Sequence, residues 1–163
     1  MCKTITWNQA TASVFESKYE GSDGIERNTP FNNGYVLNVL GGKEWTLGKS
    51  KQNAFVLNGR VTTSGGRWYT PIDLEASKAI NFEVLDEANA FGEQNEEYFR
   101  LDVKFGVKLN STKRKLSHQF YLDLQNVTNR ENIFALRYNR LTNSVNRVNQ
   151  VGFFPDFLYR IQF

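Results

Sequence analysis

The longest strict alternation of apolar and polar side chains in this sequence covers residues 98–109. Its apolar and polar members alternate as Phe99, Leu101, Val103, Phe105, Val107 and Leu109 against Tyr98, Arg100, Asp102, Lys104, Gly106 and Lys108. Successive side chains of a β-strand point to opposite faces, so the segment predicts a strand with one apolar and one polar face. It is about twice as long as an average soluble strand and slightly exceeds the ~9–11 residues of a tilted membrane-crossing strand.

Five further segments show the same period of two. They are residues 118–127, 53–63 and 153–163, and more weakly residues 4–19 and 34–45. No helical period is as strong, although residues 74–80 allow one short turn of helix. Because segments joined by short turns pair as hairpins, we predict an all-β fold, an antiparallel meander of about six strands. Residues 53–63 should pair with 98–109, which pair with 118–127, which pair with 153–163.

The composition fits one folded domain. Of 163 residues, 40% are hydrophobic and 14% aromatic, so disorder is not expected. Purely apolar runs never exceed four residues, far short of the ~18 that a membrane helix needs, whereas barrel strands hide their hydrophobicity by alternation. The net charge is +3, and Lys113, Arg114 and Lys115 form the largest basic cluster. We therefore expect no nucleic-acid partner.

The spacers between the strands alternate between short and long. Short ones lie at residues 48–52 and 110–117, and long ones at residues 20–33, 65–97 and 128–152. A loop of about thirty residues without regular structure is unusual in a compact soluble domain. Short turns at one end of the strands and long loops at the other are typical of outer-membrane barrels. If the chain ends on the periplasmic side, the loop of residues 65–97 is extracellular.

The last strand carries aromatic and aliphatic side chains on one face up to a terminal phenylalanine. Phe157, Tyr159, Ile161 and Phe163 share that face, opposite Leu158, Arg160 and Gln162. This segment resembles the closing strand of bacterial outer-membrane barrels. The resemblance implies that the four residues of the first face are a signal for the periplasmic barrel-assembly machinery. The alternative is a C-terminal strand of a soluble sandwich.

Four ordered motifs cover nearly the whole chain. They are SKYEGSDGIERNTPFNNGYVLNVLGGKEW (residues 17–45), GGRWYTPID (65–73), LDLQNVTNRENIF (122–134) and VGFFPDFLYRIQF (151–163). Together they resemble the C-terminal barrel strands of TonB-dependent receptors from Bacteroidetes-type bacteria. The resemblance implies an outer-membrane active transporter, with a plugged barrel of about 22 strands. Such a receptor imports a nutrient ligand with energy from the TonB complex.

The chain lacks parts that the family has. No plug domain, TonB box or secretory segment precedes the strands. We therefore interpret residues 1–163 as the C-terminal portion of a receptor barrel, with the plug domain and the remaining strands absent. The expected location is the bacterial outer membrane, with membrane lipid as a partner. Contact with the TonB complex would occur only through the missing plug.

No pattern of catalysis or metal binding is present. His118 is the only histidine, and no Cys/His cluster has the spacing of metal ligands. We therefore predict no enzyme activity, no catalytic residues, no metal and no cofactor.

The candidate ligand contacts are Arg67, Trp68 and Tyr69, at the root of the loop of residues 65–97. They could stack on a ligand at the barrel mouth, but aromatics at that height also form the interfacial girdle. The loop has eight acidic and two basic side chains, a formal charge of −6. It could favour a cationic ligand, although an acidic solvated loop is the simpler interpretation.

The polar faces would line the lumen in this interpretation. Their side chains include Arg100, Asp102, Lys104, Tyr121, Asp123 and Gln125, which we expect to pair with each other or with the plug. A soluble small-ligand-binding barrel of lipocalin type is the alternative, with the apolar faces pointing into a ligand cavity. A soluble protein-interaction sandwich would instead pack two apolar sheet faces together.

Overall fold

The computed structural model describes residues 4–48, 52–111 and 116–163. The fold is all-β, as predicted. Its strands are β1 (Thr4–Val14), β2 (Lys18–Glu20), β3 (Glu26–Asn28), β4 (Tyr35–Leu47), β5 (Asn53–Ser64), β6 (Trp68–Tyr69), β7 (Glu93–Gln94), β8 (Tyr98–Ser111), β9 (Leu116–Gln125), β10 (Ile133–Asn139), β11 (Ser144–Asn149) and β12 (Phe154–Gln162). One α-helix, α1 (Leu74–Ile80), and one 3₁₀ turn (Glu87–Asn89) complete these elements.

The six long strands form one antiparallel sheet in the order β1-β4-β5-β8-β9-β12. The predicted meander and all three predicted pairings are therefore confirmed. The register places apolar side chains opposite one another, as in Phe105 with Leu122 and Leu122 with Phe157. β1 and β12 are the edge strands. The basic cluster Lys113, Arg114 and Lys115, predicted as a turn, lies outside the described residues.

The long connections contain more regular structure than the sequence suggested. β2 pairs with β3, β6 with β7, and β10 with β11, each as a small antiparallel sheet. The predicted first strand, residues 4–19, ends at Val14 instead, and Lys18 begins the β2–β3 hairpin. α1 forms at residues 74–80, where the sequence allows one short turn of helix. The Asp73 side chain accepts a hydrogen bond from the Ala76 N–H at 2.9 Å, and Asn81 ends the helix in the left-handed conformation.

The two faces of the large sheet differ in burial, and the polar face is the buried one. Its buried residues are Ala54, Val56, Ser64, Asp102, Gly106 and Gln119, and by register all of them share the face of Arg60 and Lys104. On the opposite face Val39, Leu57 and Phe157 are exposed.

The apolar face of the sheet therefore lacks a covering layer within the described ranges. Soluble domains bury the apolar face of a sheet against a second layer. Here the buried hydrophobic side chains of the described part are only Ala54 and Val56. No helix among the described residues is long and apolar enough to cross a membrane.

Candidate functional site

Three long connections leave the same end of the sheet. We name them the first excursion (residues 15–34, between β1 and β4), the second (65–97, between β5 and β8) and the third (126–153, between β9 and β12). Gly65 and Gly66 begin the second excursion and are buried. A Cβ atom on Gly65 would overlap the Asn33 carbonyl, and one on Gly66 the Asn95 carbonyl. Glycine is thus required for the close approach of these backbones.

Arg67, Trp68 and Tyr69 follow directly and fix the second excursion in place. The Trp68 indole N–H donates a hydrogen bond to the Asn32 carbonyl at 2.7 Å, which joins the second excursion to the first. The Tyr69 hydroxyl donates to Glu93 Oε2 at 2.5 Å across the β6–β7 pair. Burial, reinforced by this hydrogen bond, raises the pKa of Tyr69 to about 12. The two aromatic residues therefore have partners within the loops.

Arg67 differs from its two neighbours because it is exposed. Its guanidinium carbon lies 5.1 Å from the centroid of the Phe31 ring. This is the distance of a cation–π contact. Such a contact uses the face of the guanidinium, so the N–H groups can still donate hydrogen bonds in the guanidinium plane. Of the three predicted residues, Arg67 has the most freedom to meet a ligand.

The three residues do line one groove, of about 240 Å³, between the second and third excursions. Its walls also include Pro30, Ile72, Glu83, Leu85, Phe134 and Arg137. Aromatic, aliphatic, cationic and anionic groups meet there, as in sites that fix a small ligand by a few polar contacts in an apolar setting. The sequence did not indicate the residues from the third excursion, because their distance along the chain hides their proximity.

The acidic residues of the second excursion are partly matched by arginines of the third. Glu83 pairs with Arg137 at 3.0 Å and accepts the Tyr138 backbone N–H at 3.0 Å. Glu96 pairs with Arg147 at 3.1 Å. Among residues that the structure describes, no group of three or more His, Cys, Asp or Glu side chains is arranged to hold a metal. Two of the acidic side chains of the second excursion, Glu83 and Glu96, therefore bind it to the third excursion.

The polar face carries a chain of paired charges. The Asp102 carboxylate forms ion pairs with Arg60 at 2.5 Å and with Arg100 at 2.7 Å. Further ion pairs are Lys108 with Glu44 at 2.6 Å and Lys104 with Asp123 at 3.8 Å, and Arg100 also donates a hydrogen bond to the neutral Gln125 amide oxygen at 2.7 Å. Five of the expected lumen-lining residues, Arg100, Asp102, Lys104, Asp123 and Gln125, thus pair within β8 and β9, and Asp102 also pairs with Arg60 of β5.

Asn126, at the end of β9, is a structural residue that sequence reasoning missed. It is 3% exposed, and its backbone is left-handed, with φ of 49°. Its side-chain oxygen accepts the Arg130 N–H at 3.2 Å, and its amide donates to the Arg130 carbonyl at 3.0 Å. Its own N–H donates to Asp102 at 2.9 Å. The motif NVTNR (residues 126–130) is therefore a turn held by hydrogen bonds between the Asn126 side chain and the Arg130 backbone. Asparagine tolerates positive φ, and this property was the sequence feature that could have indicated the turn.

The terminal strand lies at the edge of the sheet, with Phe157, Tyr159 and Ile161 on the apolar face. Phe157 and Ile161 are exposed, and Phe163, just beyond β12, is 99% exposed. The Tyr159 ring stacks on Phe120 with centroids 4.7 Å apart. The Tyr159 hydroxyl lies 2.7 Å from His118 Nδ1. The alternation predicted for Phe157, Tyr159, Ile161 and Phe163 is thus present, on a strand with one unpaired edge.

Comparison of the chain with known protein families, with curated proteins and with solved structures found no match.

Proposed function

We propose that this chain forms part of the wall of an outer-membrane β-barrel, and that the barrel is a TonB-dependent active transporter that imports a nutrient ligand. The observation that carries the proposal is the orientation of the sheet. Its buried side chains lie on the polar face and its apolar face is uncovered. A barrel in lipid requires this arrangement, because its apolar residues meet the acyl chains and its polar residues meet the lumen.

The charge pairs of the polar face fit the role of a lumen wall. Asp102 neutralises arginines from its own strand and from β5, and Lys108 reaches Glu44 two strands away. Pairs between strands fix the register of the sheet and leave few free charges. We assign this face to contact with the plug domain of the receptor, through which the TonB complex would act.

The two edges of the sheet support a larger barrel. A strand in lipid needs partners for all its backbone groups, and an open edge has none. β1 and β12 are the two edges of an even-numbered antiparallel sheet, so they run in opposite directions. Further antiparallel strands between them would close the wall, as the barrel of a TonB-dependent receptor requires.

We assign ligand contact to the groove between the second and third excursions. Arg67 is its exposed cation, and Trp68 and Tyr69 shape its wall through their hydrogen bonds to Asn32 and Glu93. We assign Phe157, Tyr159, Ile161 and Phe163 to recognition by the barrel-assembly machinery. Their exposure on an edge strand makes both their side chains and the backbone of β12 accessible to a partner.

A lipocalin-type barrel is less well supported. Its apolar face would be the concave one, and apolar side chains would surround the ligand cavity. In this sheet the buried side chains lie on the polar face instead, where Arg60, Asp102 and Lys104 line a groove of about 190 Å³.

The proposal is tested by fractionation and uptake in the source bacterium. The protein should sediment with outer membranes and stay there after a urea wash. Deleting its gene should abolish uptake of one nutrient in a growth screen, and deleting the TonB protein should abolish uptake of the same nutrient. Recovery of the protein in the soluble fraction, with a small ligand bound, would contradict the proposal and favour the lipocalin alternative.

A further inference from the structure

Among the described residues of the large sheet, one charged side chain, that of Lys43, lies on the apolar face. By register, the other charged residues of its described strands share the polar face: Glu44, Arg60, Arg100, Asp102, Lys104, Lys108, Asp123, Asp156 and Arg160. Lys43 instead shares a face with Leu57, Phe105 and Phe157, in one row across the sheet. A cation in the middle of an apolar surface is costly in lipid unless it reaches a polar layer or an anion.

The Lys43 side chain contacts that of Trp45, a residue nearer the short-turn end of the sheet. It is exposed, and it has no carboxylate partner among the residues that the structure describes. Its Nζ lies 5.3 Å from the centroid of the Trp45 ring, two residues nearer the end of β4. Lysines at membrane interfaces extend in this way, and indole rings are enriched at the same depth.

A gap in the apolar face adjoins Lys43 on the side of the strand centre. Gly41 and Gly59 stand opposite each other in the register of β4 and β5. A Cβ atom on Gly59 would meet nothing within 4 Å, so packing within the protein does not require glycine there. Val39 and Val61 follow in the next row and Val103 stands beside Gly59, so the gap is apolar on these sides, whereas Asn8 of β1 stands beside Gly41.

We propose that Lys43 and Trp45 bind the phosphate of an anionic glycerophospholipid, with one acyl chain of that lipid over Gly41 and Gly59. The order of the parts matches the order of a lipid in a leaflet. The cation and indole lie toward the turn end, where the headgroups would be, and the glycine gap lies toward the middle, where the acyl chains would be. The proposal rests on the proposed function, in which the apolar face meets lipid.

The test is native mass spectrometry of the intact receptor in detergent, mixed with phosphatidylglycerol, phosphatidylcholine or inorganic phosphate. The wild-type protein should retain phosphatidylglycerol in preference to phosphatidylcholine. Lys43→Gln should weaken this retention roughly fivefold, the usual effect of one lysine near an anionic membrane surface. Gly59→Leu should weaken retention of both lipids by filling the gap. Lys78→Gln, which removes the same charge from an exposed helix, should have no effect.

Equal retention of phosphatidylglycerol by wild type and Lys43→Gln would overturn the proposal, and so would its displacement by millimolar inorganic phosphate. Reconstitution of the same samples into vesicles separates this failure from that of the proposed function. If the protein inserts into vesicles but Lys43→Gln retains lipid as well as wild type does, only the lipid site is refuted. A protein that never inserts refutes the barrel.

Discussion

The backbone N–H of Asn126 donates a hydrogen bond to the carboxylate of Asp102 at 2.9 Å. Asp102 belongs to the ion pairs of the polar face, and Asn126 begins the turn that starts the third excursion. One carboxylate therefore joins the wall of the sheet to the segment that carries Phe134 and Arg137 into the ligand groove. We therefore expect the position of the groove to depend on this ion cluster.

Replacing Asp102 by alanine should destabilise the protein by about 2–3 kcal/mol. The change removes the acceptor of two guanidinium groups and of the Asn126 N–H. The loss should fall below the roughly 3–5 kcal/mol of a fully buried pair, because the Arg60 side chain is 53% exposed. Urea unfolding in detergent micelles, followed by tryptophan fluorescence, measures this free energy.

The matched control is Asp123→Ala. Asp123 faces Lys104 at 3.8 Å, a much looser pair on the same face. Asp123→Ala should lower the free energy of unfolding by less than about 1 kcal/mol. Equal losses in the two variants would contradict the role given to Asp102.

Gly66→Ala should loosen the root of the second excursion. Its Cβ atom would collide with the Asn95 carbonyl, which is backbone and cannot rotate away. The expected cost is about 1–3 kcal/mol, together with faster proteolysis within residues 65–97. Gly59→Ala is the control: its Cβ atom enters open space, so its effect on stability should stay within about 0.5 kcal/mol. Equal protease resistance of wild type and Gly66→Ala would contradict the close packing of this root.

The carboxyl group of Asp23 should titrate unusually low. Hydrogen bonding to the Arg27 guanidinium, and then to the Ile25 N–H, lowers the pKa of Asp23 to about 2. The folded pKa lies below the unfolded value of about 3.9, so the pair stabilises the β2–β3 hairpin above pH ~4. This contribution disappears as the pH falls from about 4 to about 2.

NMR titration of the Asp23 carboxyl carbon measures this pKa directly. In Arg27→Gln the pKa of Asp23 should return toward its usual value, because the guanidinium donor is gone. An unchanged titration in that variant would show that the ion pair does not form in solution.

Deleting Phe163 should affect assembly more than stability. The side chain is 99% exposed and lies beyond the last paired residue of β12. Its removal should change the unfolding free energy by less than about 0.5 kcal/mol. If the terminal strand is an assembly signal, the amount of receptor in the outer membrane should nevertheless fall severalfold. Phe134→Ala, at an exposed phenylalanine of the third excursion, should leave that amount unchanged.

The strands of the large sheet could be predicted because each has a strong period of two. In β8 every odd position from Phe99 to Leu109 is apolar, and only a β-strand places such residues on one face. The β10–β11 hairpin was missed for the opposite reason. Its sequence mixes Arg137, Asn139, Asn146 and Arg147 with scattered apolar residues, so neither face has a clear period.

The candidate site was only partly predictable. The cluster Arg67, Trp68 and Tyr69 was visible because it is local in sequence. The partner of Glu83, in contrast, is Arg137, 54 residues away. Such pairing follows from how the excursions fold over one end of the sheet, and a single sequence carries no sign of it.

The orientation of the sheet is tested most directly by spin labels placed at successive positions along β8, from residue 99 to residue 109, after Cys2 is replaced by Ser. In the receptor reconstituted into vesicles, labels at Val103 and Phe105 should collide with oxygen dissolved in the lipid, because these residues lie on the apolar face. A label at Lys104 should be shielded from that oxygen, because this residue lies on the polar face. Alternation of oxygen accessibility with a period of two, with its maxima at the odd positions, is the expected result. Maxima at the even positions, or labels at the odd positions that are shielded from both lipid and water, would show that the apolar face points inward and would contradict the membrane barrel.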